Sequence, residues 1–244
     1  MAADSPRAIS KLTSFRMVSS PSGLVTFLVR EIACRRGSTA SMVSRVLVGL
    51  SLMLFGAARI CSAESTIVVL GDSLSSGHGL GLAPSWVAIL EEHMTSEAYE
   101  YEVINASIPG DTTSGGLNRL PRLLERYQPE VVIVELGGND GLRGQPINLL
   151  RDNLSRIIEL VIAAGSKPLL TGIQIPPNYG QAYAAQFASV YQELASLHDI
   201  AFVEFLMEGV ALDPARMQSD RMHPNSEGQR PMFENVWSVL VELL

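Results

Sequence analysis

Cysteine is nearly absent. The 244 residues contain two, Cys34 and Cys61, and both precede residue 64. From there onward the chain needs neither disulfide nor thiol chemistry, even in an oxidising compartment. Basic residues are also scarce in that part. Residues 1–63 hold eight of the 18 Lys and Arg and two of the 25 acids, which leaves ten basic and 23 acidic residues in 64–244. The net charge of about −13 there, hidden by −7 for the whole chain, argues against nucleic acid or an anionic membrane as a main partner. No H-E-x-x-H metal motif occurs, and neither a metal nor a cofactor is expected. A dinucleotide fingerprint is missing too: Gly77, Gly79 and Gly81 follow a G-x-G-x-G spacing, with Leu82 where the third glycine belongs. These glycines read instead as a flexible lip beside Ser73. Residues 64–244 show no repeat, low-complexity tract or linker, and suffice for one domain with a sizeable core.

Long hydrophobic runs are missing as well. The longest, Val46 to Ala58, spans about 13 residues, too short for a comfortable membrane span. It follows Met42-Val43-Ser44-Arg45 and precedes Arg59-Ile60-Cys61-Ser62-Ala63. A basic start, an apolar segment and small residues at Cys61 and Ala63 form a secretory signal peptide pattern over 42–63, with cleavage expected after Ala63. Ile60 before Cys61 speaks against a lipoprotein signal. Residues 1–41 precede an already complete signal, which suggests that translation starts at Met42. The mature protein is then exported, most simply to a periplasm, and keeps no membrane span.

What is present is an alternation of short apolar runs and amphipathic segments. Strands are expected at Thr66–Leu70, Tyr101–Asn105, Val131–Val134, Pro168–Ile175 and Ala201–Phe205. Helical spacing occupies Pro84–Glu97, Ser114–Arg126, Ile147–Ala164, Gln181–Leu197 and Glu227–Leu244. Such alternation implies right-handed crossovers, a parallel sheet of about five strands and a three-layer α/β/α sandwich.

Three strand ends are small and polar. Thr66–Leu70 runs into Gly71-Asp72-Ser73, with Ser75 close behind; the second strand leads to Gly110-Asp111-Thr112, and the third to Gly137-Gly138-Asn139-Asp140. In a parallel sheet these ends lie along one edge, where ligand crevices form. Ser73 by itself reads equally as a helix N-cap or as a nucleophile. A nucleophile needs a base, and among four histidines His223 stands out. It lies in a loop, Ser219 to Asn225, with Asp220 three residues earlier, where one turn brings a carboxylate against the imidazole. Pro224 biases it away from helix. His93 and His198 fall in or at the ends of helices. His78 is near Ser73 but has no acid to fix its tautomer unless Asp72 folds back to it.

The motifs GDSLSSG, NASIPGDTTSGGLNRLP, VELGGNDGLRG, PPNYG and FLMEGVALDPARMQSDRMHPN stand in one order across essentially all of 64–244. In that order and spacing the chain resembles the GDSL, or SGNH, hydrolases, and within them the bacterial multifunctional branch of acyl-CoA thioesterase, lysophospholipase and arylesterase activity. The four letters match Ser73, Gly110, Asn139 and His223. The resemblance implies a carboxylic ester and thioester hydrolase working through an acyl-enzyme. Ser73 attacks, His223 is the base and then the acid, and Asp220 orients it. The Ser73 and Gly110 backbone N–H groups and the Asn139 amide hold the oxyanion. Asp72 and Asp140 are expected to brace the turns, and Asp111 to cap the following helix. Substrate contacts are expected from Leu142, Pro176 and Tyr179, with Ile175 and Pro177 adding apolar surface; the substrate is a small acyl ester, thioester or lysophospholipid. A carbohydrate O-acetylesterase on the same scaffold is the alternative. No G-x-S-x-G occurs, so the nucleophile elbow of ordinary α/β-hydrolases is excluded.

Overall fold

The computed structural model describes residues 65–244. The signal segment, its cleavage point and both cysteines lie outside them.

Apolar content builds the strands. β1 (Ser65–Gly71), β3 (Val131–Glu135) and β4 (Lys167–Thr171) are almost wholly buried, as strands covered on both faces must be. β2 (Tyr101–Asn105) is a half-exposed edge, and β5 (Ala201–Val203) closes the other side. All pairs are parallel, in the order β2-β1-β3-β4-β5.

Between the strands lie α1 (Trp86–Ser96), α2 (Thr113–Tyr127), the short α3 (Gly138–Leu142), α4 (Ile147–Ala163) and α5 (Gln181–His198), and α6 (Ser226–Leu240) follows β5. The buried side of α4, Leu150, Asn153, Leu154, Ile157, Ile158 and Val161, keeps a three-and-four spacing. Period-two alternation divides the core. Ile67, Val69, Val131, Ile133 and Leu169 pack with α1 and α6; Leu70, Val132, Val134 and Leu170 pack with α2, α4 and α5. The result is the expected α/β/α sandwich. Each such buried side chain contributes on the order of 1.5–3 kcal/mol.

Three boundaries differ from the sequence reading. β4 stops at Thr171 rather than Ile175, because Gly172 lies against the next strand: a Cβ there would stand 2.1 Å from the Glu204 carbonyl oxygen. β5 ends at Val203, and the last helix gives way at Val241 to a 3₁₀ turn. The small, polar stretch after the third strand forms a helical turn over Gly138–Leu142.

The strand order carries the functional geometry. From β1 the chain moves out to β2, then returns past β1 to β3 on its other side. The reversal leaves a crevice between the carboxyl ends of β1 and β3, which lead directly to Ser73 and Asn139.

Candidate active site

Ser73 follows β1 in a run of hydrogen-bonded turns over 73–79, where a helical turn was expected. The Asp72 side chain shapes the turn: Leu74 N–H donates to Asp72 Oδ1 (3.0 Å) and Ser76 N–H to the Asp72 carbonyl (3.0 Å). Gly71 is required beneath it, since a Cβ would stand 2.7 Å from Ser107 Oγ and 2.8 Å from Ser75 Cβ.

His223 Nε2 lies 2.9 Å from Ser73 Oγ, and His223 Nδ1 lies 2.7 Å from Asp220 Oδ2. Because the carboxylate accepts a hydrogen bond from Nδ1–H, Nε2 is left free to accept one from the Ser73 hydroxyl. The loop is built for this. Met217 and Pro224 form an antiparallel bridge, Gln218 N–H donates to the His223 carbonyl (2.8 Å), and Arg221 takes the left-handed conformation at φ 56°. Asp220 Oδ1 accepts from the backbone N–H of Met222 (2.9 Å) and His223 (3.0 Å). The hydrogen bond with His223, followed by these N–H groups, lowers the Asp220 carboxyl to about 2. It is therefore ionised at any ordinary working pH.

Asn139 lies on α3, immediately after β3, and its Nδ2 donates to Asp72 Oδ2 (2.8 Å). An amide nitrogen carries two protons, so one remains for another acceptor. The preceding Gly137 has φ 119°, and a Cβ on it would meet Tyr191 Oη at 2.1 Å. Gly110 also takes positive φ (78°), with open space where a Cβ would be. Its loop is held against β1 by Ala106 N–H on the Val69 carbonyl and Ile108 N–H on the Gly71 carbonyl, both 3.0 Å. Arg143 Nη2 donates to the Gly110 carbonyl (2.9 Å). The polar ends of β1, β2 and β3 are thus tied to one another, and the loop after β5 joins them through His223.

The supporting acids have distinct tasks. Asp140 is buried with its oxygens on Thr113, accepting from Thr113 N–H (2.9 Å) and Oγ1 (2.6 Å), so its role is structural, but it braces the start of α2 rather than its own turn. Asp111 does not cap α2. Thr112 does, through Gly115 N–H, while Asp111 pairs with Arg119 at 2.8 Å. Arg119, on the first turns of α2, also donates to the carbonyls of Gly71 and Ala106, clamping the ends of β1 and β2 together. Sequence reasoning missed this arginine, because nothing in a helical pattern says that it reaches back to two strand ends. It also missed Glu135, although a lone acid closing the apolar run Val131–Val134 is a visible signal.

Glu135 is fully buried and adjoins Gly71 in the sheet register. Burial and the neighbouring Asp72 carboxyl hold Glu135 well above the usual carboxylate range. Asp72, 2 % exposed, is itself pushed up to about 6, chiefly by burial and against the hydrogen bonds from Leu74 and Asn139.

Of the proposed substrate contacts, Leu142 is half-buried at the end of α3, and Pro176 and Tyr179 are exposed in the segment after β4, Tyr179 in a 3₁₀ turn. Ile175 is buried with Phe187 under Gly141, so it supports these segments from below. None of the remaining histidines hydrogen-bonds to Ser73 among the described residues. His78 stacks obliquely on His223 with ring centres 4.9 Å apart, while both Asp72 oxygens are engaged elsewhere. His93 packs among Tyr99, Phe233 and Trp237, and His198 contacts Ser155. Among the described residues no cluster of three His, Cys, Asp or Glu side chains is placed to hold a metal ion, and no helix is long and apolar enough to cross a membrane.

A serine, a histidine and an aspartate joined in one hydrogen-bonded line, at the switch point of a parallel sheet, define a hydrolase site of the serine type. Residues 69–230 match the GDSL-like lipase/acylhydrolase family, and the chain belongs to it. It is 46% identical over 183 residues to the esterase TesA of Pseudomonas aeruginosa, covering 75% of this chain and 91% of that one. Similarity to thioesterase 1/protease 1/lysophospholipase L1 of Escherichia coli K12 is 44% over 180 residues, 74% of this chain and 83% of that one. Among solved structures it resembles the psychrotrophic esterase EstA of Pseudoalteromonas, crystallised with monoethylphosphonate, at TM-score 0.70 and 36% identity, covering 73% of this chain and 97% of the other.

Proposed function

We propose that this protein is an exported serine hydrolase that cleaves carboxylic esters and thioesters of apolar acyl chains, lysophospholipids included, through an acyl-enzyme on Ser73. The observation that carries the reading is the Ser73–His223–Asp220 line, with separations of 2.9 and 2.7 Å. Ser73 Oγ attacks the carbonyl carbon as its proton passes to His223 Nε2, and the carbonyl electron pair moves onto oxygen. The Ser73 and Gly110 N–H groups and the second Asn139 amide proton hold that oxyanion. Collapse expels the alcohol or thiol, which takes the proton from His223. Water then repeats the sequence and frees the acid. Asp220 fixes the imidazole tautomer and stabilises its charged form.

The acyl chain lies between the Gly141–Gly144 loop and the Pro176–Gly180 loop, with Leu142, Pro176 and Tyr179 in contact. Tyr183 Oη donates to the Gln145 carbonyl (2.7 Å), which braces the end of the first loop on the helix that follows the second. Relatives named esterase and thioesterase agree with tolerance of both leaving groups. Export rests on the residue pattern at 42–63 and places the enzyme among lipids and esters rather than cytoplasmic acyl-CoA. Measuring kcat/KM on p-nitrophenyl esters from two to sixteen carbons tests the substrate class. Each buried methylene adds at most about 0.8 kcal/mol, about fourfold, so the ratio rises over several carbons and then levels off. A sharp optimum at acetate, with acetylated sugars preferred, assigns the site to a carbohydrate acetylesterase instead.

A further inference from the structure

The reaction just described leaves one buried acid without a task. Glu135 ends β3 at zero exposure, beside the residue that leads into the nucleophile turn. Its Oε2 accepts two hydrogen bonds from that turn, one from Asp72 N–H (3.1 Å) and one from Ser75 Oγ (2.7 Å). Ser75 is also fully buried, and its carbonyl is held by Asn105 Nδ2 (2.9 Å) from the end of β2. The turn carrying Ser73 is therefore pinned from beneath on both sides of the nucleophile. Asp72 passes the constraint on: its Oδ1 closes the turn onto Leu74 N–H and its Oδ2 takes Asn139 Nδ2. The contacts run in one line, from Glu135 through Asp72 to Asn139.

We propose that Glu135 is a positioning residue for the oxyanion hole, fixing through Asp72 the amide of Asn139 while it anchors the Ser73 turn through Ser75. The inference rests on the assignment of Asn139 as an oxyanion donor. A carboxyl group placed here costs the fold something, because a buried polar oxygen needs a partner. Glu135 Oε1 has none among the described residues. With Oε2 already accepting two donors, Oε1 is the oxygen that carries the proton when the group is neutral, the form that burial beside Asp72 favours. A neutral acid keeps the acceptor that the turn needs and adds no second negative charge next to Asp72 and the developing oxyanion. An apolar side chain of the same size would fill the space and leave Asp72 N–H and the Ser75 hydroxyl unpaired.

Two substitutions separate the acceptor from the acid. Glu135→Gln keeps a neutral acceptor for both donors, so kcat stays within about threefold of the parent. Glu135→Ala removes the acceptor, and loosening a preorganised donor by a fraction of an ångström to an ångström lowers kcat about 10- to 100-fold with KM nearly unchanged. The decisive readout is a double-mutant cycle with Asn139→Ala. If Glu135 acts through Asn139, Glu135→Ala costs little in the Asn139→Ala background. Should Glu135→Ala fail to accumulate as folded protein, Ser75→Ala in the same cycle removes one of the two contacts, with a loss of about three- to tenfold that also shrinks without Asn139. Equal kcat in parent and Glu135→Ala overturns the proposal. So does a loss that adds in full to that of Asn139→Ala, or a Gln variant as damaged as the Ala variant. An Asn139→Ala enzyme with unchanged kcat removes the oxyanion assignment itself, an outcome read from a different arm of the cycle.

Discussion

Replacing Asp72 by Asn sets stability against activity in a way that depends on pH. In the folded protein its carboxyl titrates near 6, against 3.8 for an ordinary aspartate, mainly because it is buried. Between those values the folded state binds more protons than the unfolded one, so stability falls as pH rises from about 4 to 6. Above 6 the full penalty is present; at 1.36 kcal/mol per pH unit it comes to about 3 kcal/mol. Asp72→Asn does not titrate and escapes this penalty, and Glu135 keeps its proton because burial is the main cause of its upward shift. Against that gain, the amide offers one acceptor where the carboxylate offers two. In the amide, as in the protonated acid, one of Leu74 N–H and Asn139 Nδ2 loses a full acceptor, at a cost of about 1–3 kcal/mol relative to the carboxylate. At pH 4, where the parent carboxyl is itself protonated, the two proteins are about equally stable, and at pH 7.5 the variant is the more stable. For a domain of this size 1 kcal/mol moves Tm by about 2–4 °C, so the difference in Tm between the two proteins swings by about 6–12 °C across that range. Activity moves the other way at pH 7.5: with Asn139 loosened, kcat drops about 10- to 100-fold. Thermal unfolding of both proteins from pH 4 to 8, with esterase assays at pH 7.5, checks both effects. Parallel Tm curves refute the burial argument, and an unchanged kcat refutes the link from Asp72 to Asn139.

Asn139→Ala lowers kcat by about 10²–10³-fold, the usual loss for one oxyanion donor, and leaves KM nearly constant; a rise in KM alone marks a substrate contact instead. Asp220→Asn lowers kcat by about 10⁴-fold by favouring the wrong imidazole tautomer, and a titration of kcat with pH distinguishes this from simple unfolding. The ionised Asp220 contributes stability that is complete above the ordinary value of 3.8 and is lost as pH falls from there through about 2, while the folded-state carboxylate that orients His223 persists down to about 2, so activity at pH 4 is not limited by this group. Amino-terminal sequencing of the exported protein shows a chain beginning after Ala63; residues before Met42 in the mature protein contradict both the cleavage and the start at Met42.

The layers, the parallel sheet and the chain positions of Ser73, Asn139 and His223 were legible because each rests on a local pattern. Period-two and period-3.6 apolar spacing marked the strands and helices, and Gly, Asn and Ser marked their ends. The edge of the sheet then follows from parallel pairing, while the roles at the site came from the resemblance of the motifs to the GDSL family rather than from residue types alone. What escaped depends on contacts between distant segments. Arg119 serves β1 and β2 from α2, and Glu135 serves the turn after β1 from β3; neither partner is visible within a sequence window. Asp111 was read as the helix cap because it is a good cap type near the right place. The neighbouring Thr112 takes that role, leaving Asp111 to Arg119. The apolar alternation of Gly172-Ile173-Gln174-Ile175 extends β4 in sequence for a related reason: the Glu204 backbone that crosses at Gly172 is not visible there.

The central claim is that Ser73 is the nucleophile, and covalent labelling tests it most directly. Treating the folded protein with a fluorophosphonate and mapping the adduct by peptide mass spectrometry should place one phosphonyl group on Ser73, with Ser73→Ala both unlabelled and inactive. A label on any other residue, or full activity in Ser73→Ala, contradicts the account.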